Sequence, residues 1–486
     1  MSMNPLEKNH QHNTRRQFFS RTATGIGAAA LGSLLSNDLQ ACSTDSTAGL
    51  PTANHPATAK RVIYLMMSGG PSHVDLFDHK PEILPRRGEP LPDSVRQGQR
   101  LTTMTSGQKK FLVLPPLKPF RPRGKSRMML SDLIPYTGEI ADDICLIKSM
   151  NTEAINHAPA ATFFLTGSQI PGRPSMGAWL SYGLGSLNRN LPSFVVMNSR
   201  DRQNTCGQLL YDYYWGSGFI PSKHQGVRFR SSSDPVLYLS NPKGMPRELR
   251  RQMLDHLAVL NQEKLADYGD PEIETRIAQY EMAYRMQTSI PELTDISNEP
   301  KHILDMYGPD VHRSGSFARN CLLARRLAEK DVRFVQLMHI GWDQHGNLPT
   351  QLEHQCKDTD QPAAALVKDL KQRGLLDDTL VIFGGEFGRT VFGQGDINNK
   401  RKHGRDHHGR VFSLWMAGGG VKPGFQYGQS CEYAWNVAEN GVHVHDWQAT
   451  VLHMLGIKHQ RLTYKYQGRQ FRLTDVHGKV VKDVLV

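Results

Sequence analysis

The stretch "FARNCLLARRLAEKDVRFVQLMHIGWDQHGN", residues 317–347, decides the fold. Its first half carries apolar residues at helical spacing, and "VRFVQLMHI" (332–340) is a continuous apolar run of strand length. It ends in Gly341 and a polar loop. A helix feeding a buried strand that opens into a polar loop is the repeating unit of a parallel α/β sheet.

The unit recurs along the chain. "RVIYLMMSGG" (61–70), "ICLIKS" (144–149), "SFVVMN" (193–198), "TLVIFGG" (379–385) and "VFSLWMAGGG" (411–420) are further strand-length runs, and "AAALVKDLKQRGLL" gives a helix ahead of the strand at 379. These predict an α/β domain over residues 61–486 with a mainly parallel central sheet flanked by helices. Between about 200 and 305 the pattern changes to aromatic loops, "LLYDYYWGSGF", and charged helices, which read as a helical insertion or cap on the sheet.

In open α/β sheets the chemistry gathers in loops beyond the carboxyl ends of the strands. "SGGPSHVDLFDHKPE" follows the first strand, and Asp75 there is a candidate metal carboxylate or part of a capped Gly-Pro turn. "GWDQHGN" places Asp343 and His345 two residues apart, so that in an extended segment both leave one face and can grip one ion. "GGEFGRT" offers Glu386 as metal ligand or acid/base, and Arg389 as a fork for an anionic oxygen or as the ion-pair partner of Glu386. "NKRKHGRDHHGRVFSLW" brings His407 and His408 beside several cations, which favours neutral, metal-ligating imidazoles; a solvated basic loop is the alternative. "HVHDWQATVLHMLGI" opens a helix that reads as core packing, with Asp446 as its expected N-cap.

The amino terminus sets the expected compartment. "NTRRQFFSRTATGIGAAALGSLLS" pairs Arg15 and Arg16 ahead of a mildly apolar run that is too short to span a bilayer, the pattern of a twin-arginine export signal over residues 1–42. "LQAC" makes Cys42 a candidate lipidation site, and residues 43–60 read as a disordered linker. The expectation is a periplasmic or envelope protein that meets the twin-arginine machinery, with a lipid anchor at Cys42 as a variant. Five later cysteines are dispersed, with no CxxC, which argues against a disulfide framework and a zinc–thiolate knot. The net charge of +12 is spread along the chain, and no nucleic-acid-binding signature stands out, so no nucleic-acid partner is expected.

Taken together, "GGPSHVDLFDHKPE", "GRPSMGAWLSYGLGS", "GWDQHGN", "GGEFGRT", "GRDHHGRVFSLWMAGGGVKPG" and "QGRQFRLTDVHGKVV" resemble the exported bacterial domain-of-unknown-function family 1501, itself similar to the alkaline phosphatase and sulfatase superfamily. The resemblance implies an alkaline phosphatase-like fold and metal-assisted hydrolysis of phosphate or sulfate esters. By it, Asp343 and His345 look like one ligand pair, Glu386 falls at the acid of a second pair, Phe387 replaces that pair's histidine, and His407 or His408 is similar to a late histidine. Asp75 is an approximate substitute for the acid at the end of the first strand. "NHAPAATFFLTG" (156–167) fits the sulfatase nucleophile frame through Pro159 and Thr166-Gly167, but His157 stands at the nucleophile and Ala161 at the anion-holding arginine.

Two functional expectations follow. One is an exported metal-dependent hydrolase acting on an anionic ester or a sulfated or phosphorylated glycan, with a metal-bound hydroxide replacing the side-chain nucleophile and His157 as ligand or base. Its metal would be Zn, Mn, Ca or Mg, the last two favoured only by oxygen-only ligation. The other is an inactive envelope binding or scaffold protein that keeps the fold.

Overall fold

A computed structural model of the chain describes residues 53–200, 209–230, 235–236, 239–242 and 244–486. The twin-arginine segment, Cys42 and the linker up to residue 52 lie outside the described residues. Residues 53–60, the end of that expected linker, are in fact bound to the body. Asn54 and His55 donate backbone hydrogen bonds to the Gly456 carbonyl, Thr58 and Ala59 donate to Met454, and Ala59 is buried.

Among the described residues nine strands build the central sheet: β1 (Arg61–Ser68), β2 (Ile144–Asn151), β3 (Phe194–Arg200), β4 (Val227–Phe229), β5 (Phe334–Ile340), β6 (Thr379–Gly384), β7 (Phe412–Ala417), β8 (Phe425–Tyr427) and β9 (Val442–His443). The order is β8-β2-β7-β6-β1-β5-β3-β4, with β9 also on β2. All pairings are parallel except those of β7, which runs antiparallel to both β2 and β6.

β1 reads as an unbroken apolar run because both of its faces are covered. Ile63, Leu65 and Met67 point into one core layer with α5 (Phe317–Glu329) and α6 (Leu348–Gln372). Val62, Tyr64 and Met66 point into the other, with α1 (His157–Thr166), α2 (Met176–Leu184) and α7 (Val444–Met454). The period-2 alternation of a strand thus sorts one sequence onto two helical layers. Local capping fits the assignment: Ser316 Oγ accepts from Arg319 N at the start of α5, and Ser175 Oγ does the same for α2. Asp446 is not the N-cap of α7. His443 occupies that position and Asp446 completes a capping box from the third helical residue.

The region expected as a cap contains a helical hairpin, α3 (Arg247–Tyr268) and α4 (Pro271–Thr294), tied by an Arg251–Glu281 ion pair at its crossing. Met286, Ile290 and Leu293 of α4 reach the core layer of α5 and α6. Among the described residues no helix is long and apolar enough to cross a membrane.

Candidate metal centre

The sheet delivers five connecting segments to one edge. β1 lies between β5 and β6 in register, Ser68 beside Ile340 and Met66 beside Gly384, so the loops after these strands open side by side. β7 runs backwards, and its first residue, Phe412, sits beside Met150 near the end of β2. The flank ahead of β7, residues 403–410, therefore reaches the edge where β2 hands over to α1 and His157. Contact between the loops requires small residues. Gly69 has φ +116°, and a Cβ there would sit 2.7 Å from the Asp343 nitrogen; one on Gly404 would sit 2.2 Å from the His345 carbonyl carbon.

At this edge Asp343 Oδ1 lies 3.0 Å from His157 Nε2, 2.8 Å from His345 Nε2 and 3.3 Å from His407 Nε2. The ligand atoms of these four residues all lie within 4.8 Å of one another. The outer nitrogen of each imidazole is already engaged. His157 Nδ1 is 2.5 Å from Glu386 Oε1, His407 Nδ1 is 2.9 Å from the Ile155 carbonyl, and His345 Nδ1 is 2.6 Å from Gln394 Oε1. A carbonyl or carboxylate oxygen only accepts, so the ring protons belong on Nδ1 and each Nε2 turns a lone pair inward. Glu386 is itself fixed by the Gly69 N–H.

That arrangement is unsatisfied by protein alone. His345 Nε2 and His407 Nε2 stand 2.9 Å apart, and His157 Nε2 is buried without a hydrogen bond despite its nearness to Asp343. One added proton could bridge a single pair, but not all three nitrogens. A buried acceptor left unmatched costs about 1–3 kcal/mol. The donor set and the backing of every imidazole by an outer acceptor are those of a metal site, and the residues fit a divalent ion.

Charge is distributed to suit. Burial alone would raise the Asp343 carboxyl, but Arg389 and the three histidines hold it far below the usual carboxylate range. Burial opposes charge on His157, yet the carboxylates of Asp343 and Glu386 outweigh it and its pKa is raised in the metal-free protein, so an ion bound at its Nε2 would displace a proton there. Burial lowers His407 to about 4, with Arg389 adding to the effect against Asp343. Phe387, which replaces the histidine of the second ligand pair, packs its ring 4.8 Å from both His157 and His407.

Three expected site residues do other work. Asp75 is not a ligand: Arg405 grips it from Nε at 2.7 Å and Nη2 at 3.1 Å, Ser72 Oγ and the Leu117 N–H supply further bonds, and both charged side chains are wholly buried. His408 is not a ligand either. In the two-residue ladder with Gly388–Arg389 it leaves the opposite face from His407, bonds the Trp435 carbonyl at 2.5 Å and lies against the Trp435 ring. Arg389 has no free fork for an anion. It donates to the Gly69, Gly70, Trp342 and Arg405 carbonyls and holds Asp343 Oδ1 at 2.7 Å, so it positions the carboxylate. Glu386 is brought to the site as the partner of His157, outside the four converging groups.

Gln394 and the Ile155 carbonyl were not foreseen. A lone glutamine and a main-chain oxygen have no sequence signature. Asp406 lies in the cluster around His407 and was given no role of its own, although it fixes His407 by accepting its backbone N–H at 2.7 Å while also binding Thr102 and Thr105.

Solved structures similar to this chain include a protein in the alkaline phosphatase superfamily from Vibrio parahaemolyticus, at 11% identity with 86% of this chain and 71% of that one covered and a TM-score of 0.36. A sulfatase from Pseudoalteromonas sp. is similar at 12% identity, with 82% of this chain and 68% of that one covered and a TM-score of 0.34. An alkaline phosphatase from the Antarctic bacterium TAB5 is similar at 12% identity, with 74% and 92% covered and a TM-score of 0.28. These likenesses are distant. No curated protein matches the chain in sequence. The model of the family described as "Protein of unknown function (DUF1501)" matches residues 59–485, and the chain belongs to that family.

Proposed function

We propose that the protein is a metal-dependent hydrolase of phosphate or sulfate esters, sulfated or phosphorylated glycans among them, acting outside the cytoplasm after twin-arginine export. The observation that carries the reading is the convergence of three imidazole Nε2 atoms on Asp343 Oδ1, with those of His345 and His407 2.9 Å apart and that of His157 buried without a hydrogen bond. A divalent ion held by His157, Asp343, His345 and His407 would supply a Lewis acid and bring the pKa of a coordinated water to about 7. The nitrogen-rich set favours Zn, Mn or another first-row ion over oxygen-ligated Ca or Mg. Glu386, Gln394 and the Ile155 carbonyl keep the imidazoles in one tautomer, Arg389 keeps Asp343 ionised, and Phe387 packs against His157 and His407.

Elemental analysis of purified protein, followed by a panel of aryl phosphate and sulfate esters and sulfated oligosaccharides, tests the reading. Stoichiometric metal with turnover, and no trappable phospho- or sulfo-enzyme, is expected. Metal without turnover on any ester would support the envelope scaffold reading, which draws on Arg389 being tied up internally and on Ala161 standing where the resemblance places an anion-holding arginine. Fractionation of wild-type cells and of Cys42→Ala and Arg15→Lys/Arg16→Lys variants tests export and anchoring.

A further inference from the structure

Beyond the far end of α1 from His157 lies an open cavity of about 620 Å³, a size suited to small ligands. None of the four candidate metal ligands lines it. Its walls come from Glu153 ahead of α1, Phe163 and the 167–170 turn after it, Arg173, His443 and His445 at the start of α7, and Asp475 and His477.

The hydrogen bonds around His445 define one side of the ligand. Gln448 Nε2 donates to the Phe163 and Phe164 carbonyls, which fixes its amide with Oε1 toward His445 Nδ1 at 3.1 Å. Nδ1 therefore carries the ring proton and Nε2 is a lone pair with no hydrogen-bond partner among the described residues, on a side chain that is only 4% exposed. Burial lowers His445 to about 4, so the ring is neutral near pH 7.

The rest of the wall favours neither an anion nor a metal. Arg173 pairs with Asp475 at 3.0 Å through one Nη, its other Nη still lacking a hydrogen bond, and His443 pairs with Glu153 at 2.9 Å, so two carboxylates and the His445 lone pair stand against one guanidinium. Among the described residues the only converging ligand group is the one at Asp343, so the imidazoles here do not gather on an ion. What fits is a neutral ligand rich in hydroxyls, donating to His445 Nε2 and the carboxylate rim and accepting from Gln169 and Ser168. Its apolar faces would meet Phe163, which packs edge-on to His445 at 4.9 Å, and Ile170, which is 74% exposed on the rim.

We infer that this cavity is a binding site for an uncharged sugar unit, with His445 as its central acceptor. The inference stands on the cavity and not on the metal centre, and it holds whether or not that centre turns over an ester. The test is an array of neutral oligosaccharides and their sulfated counterparts probed with the purified full chain, followed by calorimetric titration of the best neutral hit. Neutral glycans should bind. His445→Phe, which keeps a ring against Phe163 and removes the lone pair, should weaken binding about tenfold or more, the loss of roughly one buried hydrogen bond. Ile170→Asp, on the exposed rim where folding is not at stake, should weaken it also. Metal content should be unchanged in both variants, while His157→Ala should lose metal and keep the glycan, so failure at one site is told apart from failure at the other. No neutral glycan bound, binding confined to sulfated glycans, or wild-type affinity in both His445→Phe and Ile170→Asp would overturn the inference.

Discussion

Two polar clusters share the same edge of the sheet, and in the sequence they look alike. One contains Asp75, Arg405 and His408; the other contains His157, Asp343, His345 and His407. In the first, every charge meets its opposite and every ring nitrogen with a bond meets a carbonyl: Arg405 with Asp75, His408 with Trp435. In the second, acceptors face acceptors, His345 Nε2 against His407 Nε2 and His157 Nε2 without a hydrogen bond. A matched cluster is scaffold and an unmatched one is a site. Residue type does not separate them, but the count of donors against acceptors does.

The largest effect expected from breaking this comparison is on the scaffold side. Asp75→Ala leaves Arg405 charged and wholly buried with no carboxylate, which should cost about 3–5 kcal/mol of stability. Chemical denaturation measures it, and the folded fraction should retain its metal. Loss of metal from folded Asp75→Ala protein would mean that the two clusters are one.

On the site side the main effect is on the metal. His157→Ala should lower metal affinity by more than about 100-fold, beyond the range for orienting partners, and should also cost the metal-free protein about 1–3 kcal/mol, because the buried Glu386 loses its Nδ1 partner. Competition with a chelator reads the first effect and denaturation without metal the second. Glu386→Gln is the milder break. It keeps the side chain's shape but weakens the hold on the His157 Nδ1 proton, and should cost about 10–100-fold in metal affinity. A Glu386→Gln protein with wild-type affinity would remove the argument that the outer acceptors set the tautomers.

The sequence exposed the strands because a strand covered on both faces is apolar throughout, and β1 and β5 are such strands. It exposed Asp343, His345, His407 and His157 because they stand next to strand ends or in a nucleophile frame. It could not separate His407 from His408, since the choice depends on which face of a two-residue ladder points inward. Nor could it show that β7 runs backwards, although only that direction brings residues 403–410 to the site. Asp75 was misread for a similar reason. Its partner Arg405 lies 330 residues away, and such a pairing leaves no local trace.

The smallest expected effect sharpens the comparison from the scaffold side. His408 is fully buried and held down to about 3, with burial the main cause and His73 adding to it. An unfolded histidine titrates near 6.5, so between these values the unfolded chain binds the extra proton and stability falls as pH falls. The contribution is complete above about pH 6.5 and is lost as the pH drops toward 3; between pH 7 and 5.5 it should amount to about 1 kcal/mol. His408→Phe keeps an aromatic ring against Trp435 but cannot titrate. Its stability at pH 7 should drop for want of the bond to the Trp435 carbonyl, and its pH slope between 7 and 5.5 should be shallower than that of the wild type. The slope, not the intercept, tests the assignment. An unchanged slope, measured without metal at both pH values, would mean that His408 is not held neutral and that the scaffold cluster is less completely matched than its hydrogen bonds indicate.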